Sequence, residues 1–290
     1  MTAPFAVQNY NLDATLDSGQ AFRWWRSGAS WEGIIHGRWV RLRALPDALE
    51  AETVEDPGTW DWLTHYLGLT ENLEEILTTF PADEPLRAAV QACPGLRLLR
   101  QDPWECLASF ILSSTKQIIQ IRQCVALLSR DFGSPIPGPD PTQPLHAFPT
   151  ALQLADVPES ALRSCKLGFR AKYLSAAARA IAGGDLDLDQ LTKLTTAVAR
   201  ERLTQLPGVG PKIANCVLLF AYGRQDAFPV DVWVLRALEE LYFPRRRPNP
   251  QTLIRFTETH FGPNAGYAQQ YLFHYVRTQR PRPTRIGSGD

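Results

Sequence analysis

Two hydrophobic periodicities divide the chain. Phe22 to Arg26, Trp31 to Ile35 and Trp39 to Arg43 are short aromatic and β-branched runs separated by Ser27-Gly28 and His36-Gly37. Such runs predict a small antiparallel sheet near the N-terminus. From Trp60 onward, apolar positions recur at three-to-four spacing. That period predicts helices over Pro103 to Ser114, Ile118 to Arg130, Arg170 to Ile181, Leu194 to Leu206 and Asp231 to Leu241. The segment Ser134 to Pro141 reads as a rigid surface loop, and no internal repeat is visible. The expected fold is α+β. A sheet domain with connecting helices over residues 1–90 packs on a larger all-helical body over residues 91–290, and a Pro-rich tail after residue 280 is extended or disordered.

Within the helical pattern, Leu206-Pro207-Gly208-Val209-Gly210-Pro211-Lys212-Ile213-Ala214 interrupts one amphipathic helix and opens another, Ile213 to Ala221. Two helices joined by a tight glycine turn, at about residues 200–222, form a helix-hairpin-helix. Gly208 and Gly210 let backbone N–H groups face outward at a helix N-terminus, a ready site for a nucleic acid phosphate held without sequence readout. Lys212 lies in the first turn of the second helix, at the positive end of its dipole. As a neutral amine it is a nucleophile able to attack a sugar C1′ and form a Schiff base, given a carboxylate to stabilise the developing positive charge. Asp231, downstream in Phe228-Pro229-Val230-Asp231, is that candidate. The structural alternatives are a phosphate salt bridge for Lys212 and a helix N-cap for Asp231, and capping is compatible with catalysis.

The chain resembles the helix-hairpin-helix DNA glycosylase superfamily, and within it the 8-oxoguanine DNA glycosylases. The hairpin carries the resemblance together with Ser18-Gly19-Gln20-Ala21-Phe22-Arg23-Trp24, Arg97 to Cys106, Leu167 to Tyr173 and Gly266 to Phe273. The resemblance implies a bifunctional enzyme of base excision repair. It would remove 8-oxoguanine from duplex DNA through Lys212 and then nick the strand by β-elimination, with a cleft between two helical parts. It implies no catalytic metal or redox cofactor, although a monovalent cation is implied at the hairpin carbonyls, and it implies action as a monomer. A monofunctional glycosylase for alkylated bases would share the fold without needing Lys212, and a noncatalytic DNA-binding protein would need no base pocket.

Lesion recognition follows from chemistry. Guanine presents an acceptor at N7, whereas 8-oxoguanine presents N7–H, so a backbone carbonyl discriminates between them. The resemblance assigns that carbonyl to Gly19, which otherwise is only a turn before the first strand. Cys216, four residues after Lys212 on the same helix face, is implied to touch the base. Phe273 is implied to stack on it, and Gln269 to bond its Watson-Crick edge. The plain alternatives are packing for Cys216 and Phe273, and a solvated Gln269. Phe169, where the family usually has Tyr, and Arg170 would fill the gap left by the extruded base and hold the orphaned partner. Thr115-Lys116-Gln117 replaces an Asn-rich run of the animal enzymes, Gln120 stands where they carry Arg, and Trp233 replaces a phosphate-contacting His. These departures place the chain nearer the bacterial branch and relax the expected selection of cytosine. Thr115 and Gln117 are retained as DNA-binding candidates.

Composition adds three points. Formal net charge is zero, but no Lys or Arg occurs between Arg43 and Arg87, while Arg245-Arg246-Arg247, Arg277, Arg280, Arg282 and Arg285 lie toward the C-terminus. That segregation leaves a basic half able to face phosphate, or an ordinary solvated surface. The five cysteines are scattered and lack iron–sulfur or zinc spacing, which predicts reduced, structural thiols. No long apolar span or secretory leader is visible, so the expectation is a soluble intracellular protein, in cytoplasm or nucleoid if bacterial.

Overall fold

A computed structural model of the chain describes residues 1–245 and 247–279. The tail after residue 280, with Arg246, lies outside the described residues. The N-terminal segment forms a five-stranded antiparallel sheet ordered β1-β5-β4-β3-β2. The aromatic runs give β2 (Trp24–Ser27), β3 (Ser30–Ile35) and β4 (Arg38–Leu45). Between β3 and β4, His36 and Gly37 hold φ of 49° and 74°, the left-handed pair that a two-residue hairpin demands.

Two strands lack the alternating signal. β5 (Ala48–Glu52) is made of Ala, Leu and Glu, which favour helix, yet it is paired on both sides, and that tertiary context overrides propensity. β1 (Thr2–Ala6) contains Pro4 and lies at the sheet edge, where a missing N–H is tolerated. One face of the sheet is closed by α1 (Leu12–Asp17) and α2 (Asp61–Tyr66), with Leu12, Leu16, Trp24, Leu42, Leu49 and Leu63 in one buried cluster.

After α3 (Leu73–Thr78) and α4 (Glu84–Ala92), the body is built from α5 (Pro103–Leu112), α6 (Ile118–Phe132), α7 (Ala151–Ala155), α8 (Glu159–Leu162) and α9 (Ala171–Ala182). It continues with α10 (Thr196–Thr204), α11 (Pro211–Phe220), α12 (Val232–Leu241), α13 (Pro250–Thr259) and α14 (Ala265–Gln279). A second core, including Leu107, Ile111, Leu174, Val217, Phe261 and Tyr271, unites these helices. Two expectations are corrected. The Pro-rich segment is not wholly a loop, because β6 (Pro135–Ile136) pairs with β7 (Leu145–His146), so the body is not entirely helical. The helix expected from Leu194 begins at Thr196, since the Thr195 side chain accepts from the Val198 N–H at 3.4 Å and caps it.

Gln20 ties the two parts together. Fully buried, its Nε2 donates to the carbonyls of Thr15 at 2.9 Å and Arg97 at 2.8 Å, while its Oε1 accepts from the Leu99 N–H at 2.8 Å. Gln101 continues the link. Its Nε2 donates to the Gln20 carbonyl at 2.7 Å, and its N–H donates to the carbonyl of Phe220, the last residue of α11, at 2.7 Å.

Candidate active site

The hairpin forms where the sequence predicts it, between α10 and α11. Gly208 has φ +82°, and a Cβ there would lie 2.4 Å from Cγ of Tyr173, so both the backbone and the neighbour exclude a side chain. Gly210 N-caps α11 in ordinary extended geometry, and a Cβ there would meet nothing. Its outer side is open, as a close approach by another backbone requires. Pro211 occupies the first helical turn, where its missing N–H breaks no bond.

Lys212 projects from that turn into a pocket of about 790 Å³. Its Nζ donates to Ser113 Oγ at 3.0 Å and lies 5.1 Å from the Phe110 ring centroid. Asp231 also lines the pocket and is the N-cap of α12. Its Oδ1 accepts from the N–H groups of Trp233 at 3.0 Å and Val234 at 2.8 Å. Burial raises its carboxyl above the ordinary aspartate range, opposed by the Val234 N–H, by Lys212 and by the Trp233 N–H. The carboxylate is therefore both desolvated and electrostatically linked to the lysine. Cys216 lines the same wall, and burial pushes its thiol up to about 11, against Lys212. It is a neutral surface, not a second nucleophile.

A second part of the pocket wall is formed by Gly19, Gln269 and Phe273, with Gln117. Gly19 has φ +79°, and a Cβ would meet Ile118 Cδ1 at 2.7 Å and Phe273 Cε1 at 3.6 Å. Gln269 is 4% exposed, and its Oε1 is buried without a partner. Such an acceptor is costly unless something entering the pocket donates to it. The carbonyls beside Gly19 are occupied: Arg277 donates to that of Asp17, Gln270 Nε2 to that of Ser18 at 3.1 Å, and Gln101 to that of Gln20. No hydrogen bond from the described residues reaches the Gly19 carbonyl.

Phe169, Arg170 and Thr115 lie outside this pocket. Phe169 is 48% exposed, as an intruding ring must be, and packs edge-on to Tyr173 with centroids 6.3 Å apart. Arg170 is not presented to solvent. It is buried, with Nε donating to the Ser114 carbonyl at 2.7 Å, Nη2 to Ser114 and Thr115, and Nη1 to the Leu167 carbonyl at 3.3 Å, and its guanidinium lies 4.3 Å from the Phe169 centroid. In this state its donors brace Thr115, which holds φ +56°. Gln117 caps α6, its N–H donating to Gln120 Oε1 at 3.0 Å. Of the C-terminal arginines, Arg247 is paired with Glu239 at 2.5 Å. Sequence reasoning missed Ser113, Gln270 and Phe110. Ser113 ends a helix whose only local feature is apolar periodicity, so nothing in the chain links it to a lysine 99 positions away.

The five cysteines are free and buried, and among the described residues no three His, Cys, Asp or Glu side chains cluster as a metal site. No helix there is long and apolar enough to cross a membrane.

A glycine hairpin, a pocket lysine and a helix-capping aspartate, with Gly19 from the sheet side and Gln269 and Phe273 from α14 lining the same pocket, define a helix-hairpin-helix DNA glycosylase architecture. Comparison with known proteins agrees. Residues 3–107 match the 8-oxoguanine DNA glycosylase N-terminal domain, and residues 108–262 match the HhH-GPD superfamily of base excision DNA repair proteins. The chain is 32% identical over 279 residues to the N-glycosylase/DNA lyase OGG1 of Arabidopsis thaliana, covering 90% of this chain and 76% of the plant protein. It is 32% identical over 219 residues to a probable N-glycosylase/DNA lyase of Methanothermobacter thermautotrophicus, covering 69% of each. It also superposes on the Clostridium acetobutylicum 8-oxoguanine glycosylase/lyase, solved with duplex DNA containing cytosine opposite 8-oxoguanine. The TM-score is 0.89 and the identity 31%, over 96% of this chain and 98% of that one. The chain belongs to the 8-oxoguanine DNA glycosylase family of the HhH-GPD superfamily.

Proposed function

We infer that the protein is a bifunctional DNA glycosylase and abasic-site lyase that excises 8-oxoguanine from duplex DNA in base excision repair. The observation that carries this reading is one pocket lined by Lys212 and Asp231 and also by Gly19, whose carbonyl is unclaimed, and Gln269, whose Oε1 is unpartnered. The first pair supplies nucleophile and counter-charge. The second supplies two acceptors for a base that carries N7–H and Watson-Crick donors.

With the base extruded into the pocket, the lone pair of Lys212 Nζ attacks C1′ as the C1′–N9 bond breaks and its electrons leave with the base. The positive charge that develops on the sugar lies before Asp231, whose burial strengthens that interaction. Loss of the amine proton and sugar ring opening give a Schiff base. Removal of a C2′ proton then expels the 3′ phosphate and nicks the strand. Ser113 holds Nζ ready for attack, and Cys216 and Phe273 cover the base. Phe169 enters the gap in the duplex, and Gly208 and Gly210 present N–H groups to phosphate. The hairpin carbonyls are hard oxygen donors. That of Leu206 accepts one bond from the Val209 N–H at 3.1 Å and keeps a second lone pair, one oxygen donor of the kind a monovalent cation would take. No chemical step is assigned to it. The free, buried thiols suit an intracellular reducing compartment.

Borohydride trapping on duplexes with 8-oxoguanine opposite each of the four bases tests this reading. A lesion-dependent covalent adduct lost in Lys212→Gln supports it. Base release without an adduct would make the protein monofunctional and leave Asp231 as the principal catalyst.

A further inference from the structure

We propose that Arg122 and Arg277 are positioning residues that clasp the Asp17–Gly19 turn from the two helices flanking the pocket, and thereby aim the Gly19 carbonyl at the base. The proposal rests on the function inferred above and names what sets its selectivity. Arg122 Nη2 donates to Asp17 Oδ1 at 2.9 Å, and Arg277 Nη2 donates to the Asp17 carbonyl. Each arginine stands one turn beyond a residue that touches the turn or the pocket on the same helix face. Arg122 follows Ile118 by one turn on α6, and Arg277 follows Phe273 by one turn and Gln270 by two on α14. The result is a carbonyl series, 17, 18 and 20, in which each member is bonded to a long side chain, with carbonyl 19 left over.

The Asp17 side chain is half-exposed, so as an isolated surface ion pair its contact with Arg122 would contribute little. The Arg277 contact differs in kind. Burial pushes that guanidinium below its ordinary range, Asp17 opposes the shift and Arg122 adds to it. Its Nε is buried without a partner, and its charge lies 5.7 Å from the Phe273 ring centroid. A desolvated charge is held here by the backbone of the recognition turn and by the ring proposed to stack on the base. Motion of the turn therefore carries a penalty that a loop held only by its own chain would lack.

The test compares wild type, Arg122→Ala, Arg277→Ala, the double variant and Arg122→Lys. Single-turnover excision of 8-oxoguanine is measured against nicking of a preformed abasic duplex, which has no base to recognise. Arg277→Ala is expected to lower the ratio of excision to nicking by about tenfold, the scale of one charge-assisted hydrogen bond, and Arg122→Ala by less. The double variant should lower it further, and Arg122→Lys should restore most of it. Equal losses of both activities, or no loss, would overturn the clasp. Hydrogen exchange at residues 18–21 gives a readout that does not depend on the substrate. Arg277→Ala should accelerate it while the α11 amides stay protected, and an unchanged profile also overturns the proposal. If wild type shows no lesion-dependent excision while exchange responds as expected, the functional reading has failed and the clasp stands.

Discussion

The two walls of the pocket are made in opposite ways. The catalytic wall comes from one short stretch, Gly208 to Asp231, in which a turn, a helix and the next N-cap follow in order. The recognition wall is gathered from the end of α1, the start of α6 and the face of α14, segments separated by up to 260 positions. On the function proposed, chemistry is thus a local property of the chain, and selectivity a property of how the sheet side meets the helical body. Damage to the first should remove activity outright, whereas damage to the second should shift what is acted upon.

Lys212→Gln is expected to have the largest effect, lowering both excision and nicking by at least about a thousandfold while leaving duplex affinity nearly unchanged. Gel-shift and trapping assays check this together, and retained trapping would reassign the nucleophile. Asp231→Asn should follow, with excision down roughly a hundred- to a thousandfold. Asn caps a helix as well as Asp, so the fold should not suffer. Because burial raises the folded Asp231 pKa, its contribution to stability is present at low pH and lost as pH rises through that value. The Asn variant should therefore melt no lower than wild type at neutral pH, and a lower melting temperature would contradict this account. The same shift predicts that the acid limb of kcat/KM lies above the ordinary aspartate range.

Gly19→Ala attacks the other wall. The left-handed φ and the 2.7 Å approach to Ile118 should cost about 1–2 kcal/mol of stability. Excision of 8-oxoguanine should fall by more than nicking of abasic DNA, and equal losses would break the comparison between the walls. The smallest effect concerns the junction beneath them. Glu105, in the first turn of α5 and 3.8 Å from Arg23, is pushed up to about 7 by burial, against Arg23. Stability from that group is full below its ordinary value of 4.5 and lost as pH rises toward 7. Glu105→Gln should remove this slope, gaining about 1–2 kcal/mol on wild type between about pH 5 and pH 8 in denaturant titrations. A pH-independent difference would refute the assignment.

The contrast between walls also explains what could be read from the chain. The hairpin, Lys212 and Asp231 are signalled by residue type and order, because each is fixed by its own neighbours. The central strands were legible from aromatic runs and turn glycines. β5 was not, since Ala-Leu-Glu-Ala-Glu becomes a strand only between its partners. Gly19, Gln269 and Phe273 were reached through resemblance, whereas Ser113, Gln270 and the Asp17 clasp left no trace, because only the packing of α5, α6 and α14 brings them together. Arg170 shows the complementary failure: its position was foreseen, but its bonds to Ser114 and Leu167 depend on a loop whose path no local pattern specifies.

Tyr173 touches two features that have been treated separately. Its ring fills the space a side chain would take at Gly208, and it meets Phe169 edge-on. The surface proposed to hold phosphate and the ring proposed to enter the duplex thus share one aromatic support. Truncating Tyr173 would loosen both at once, whereas a change at Phe169 or in the hairpin would loosen only one.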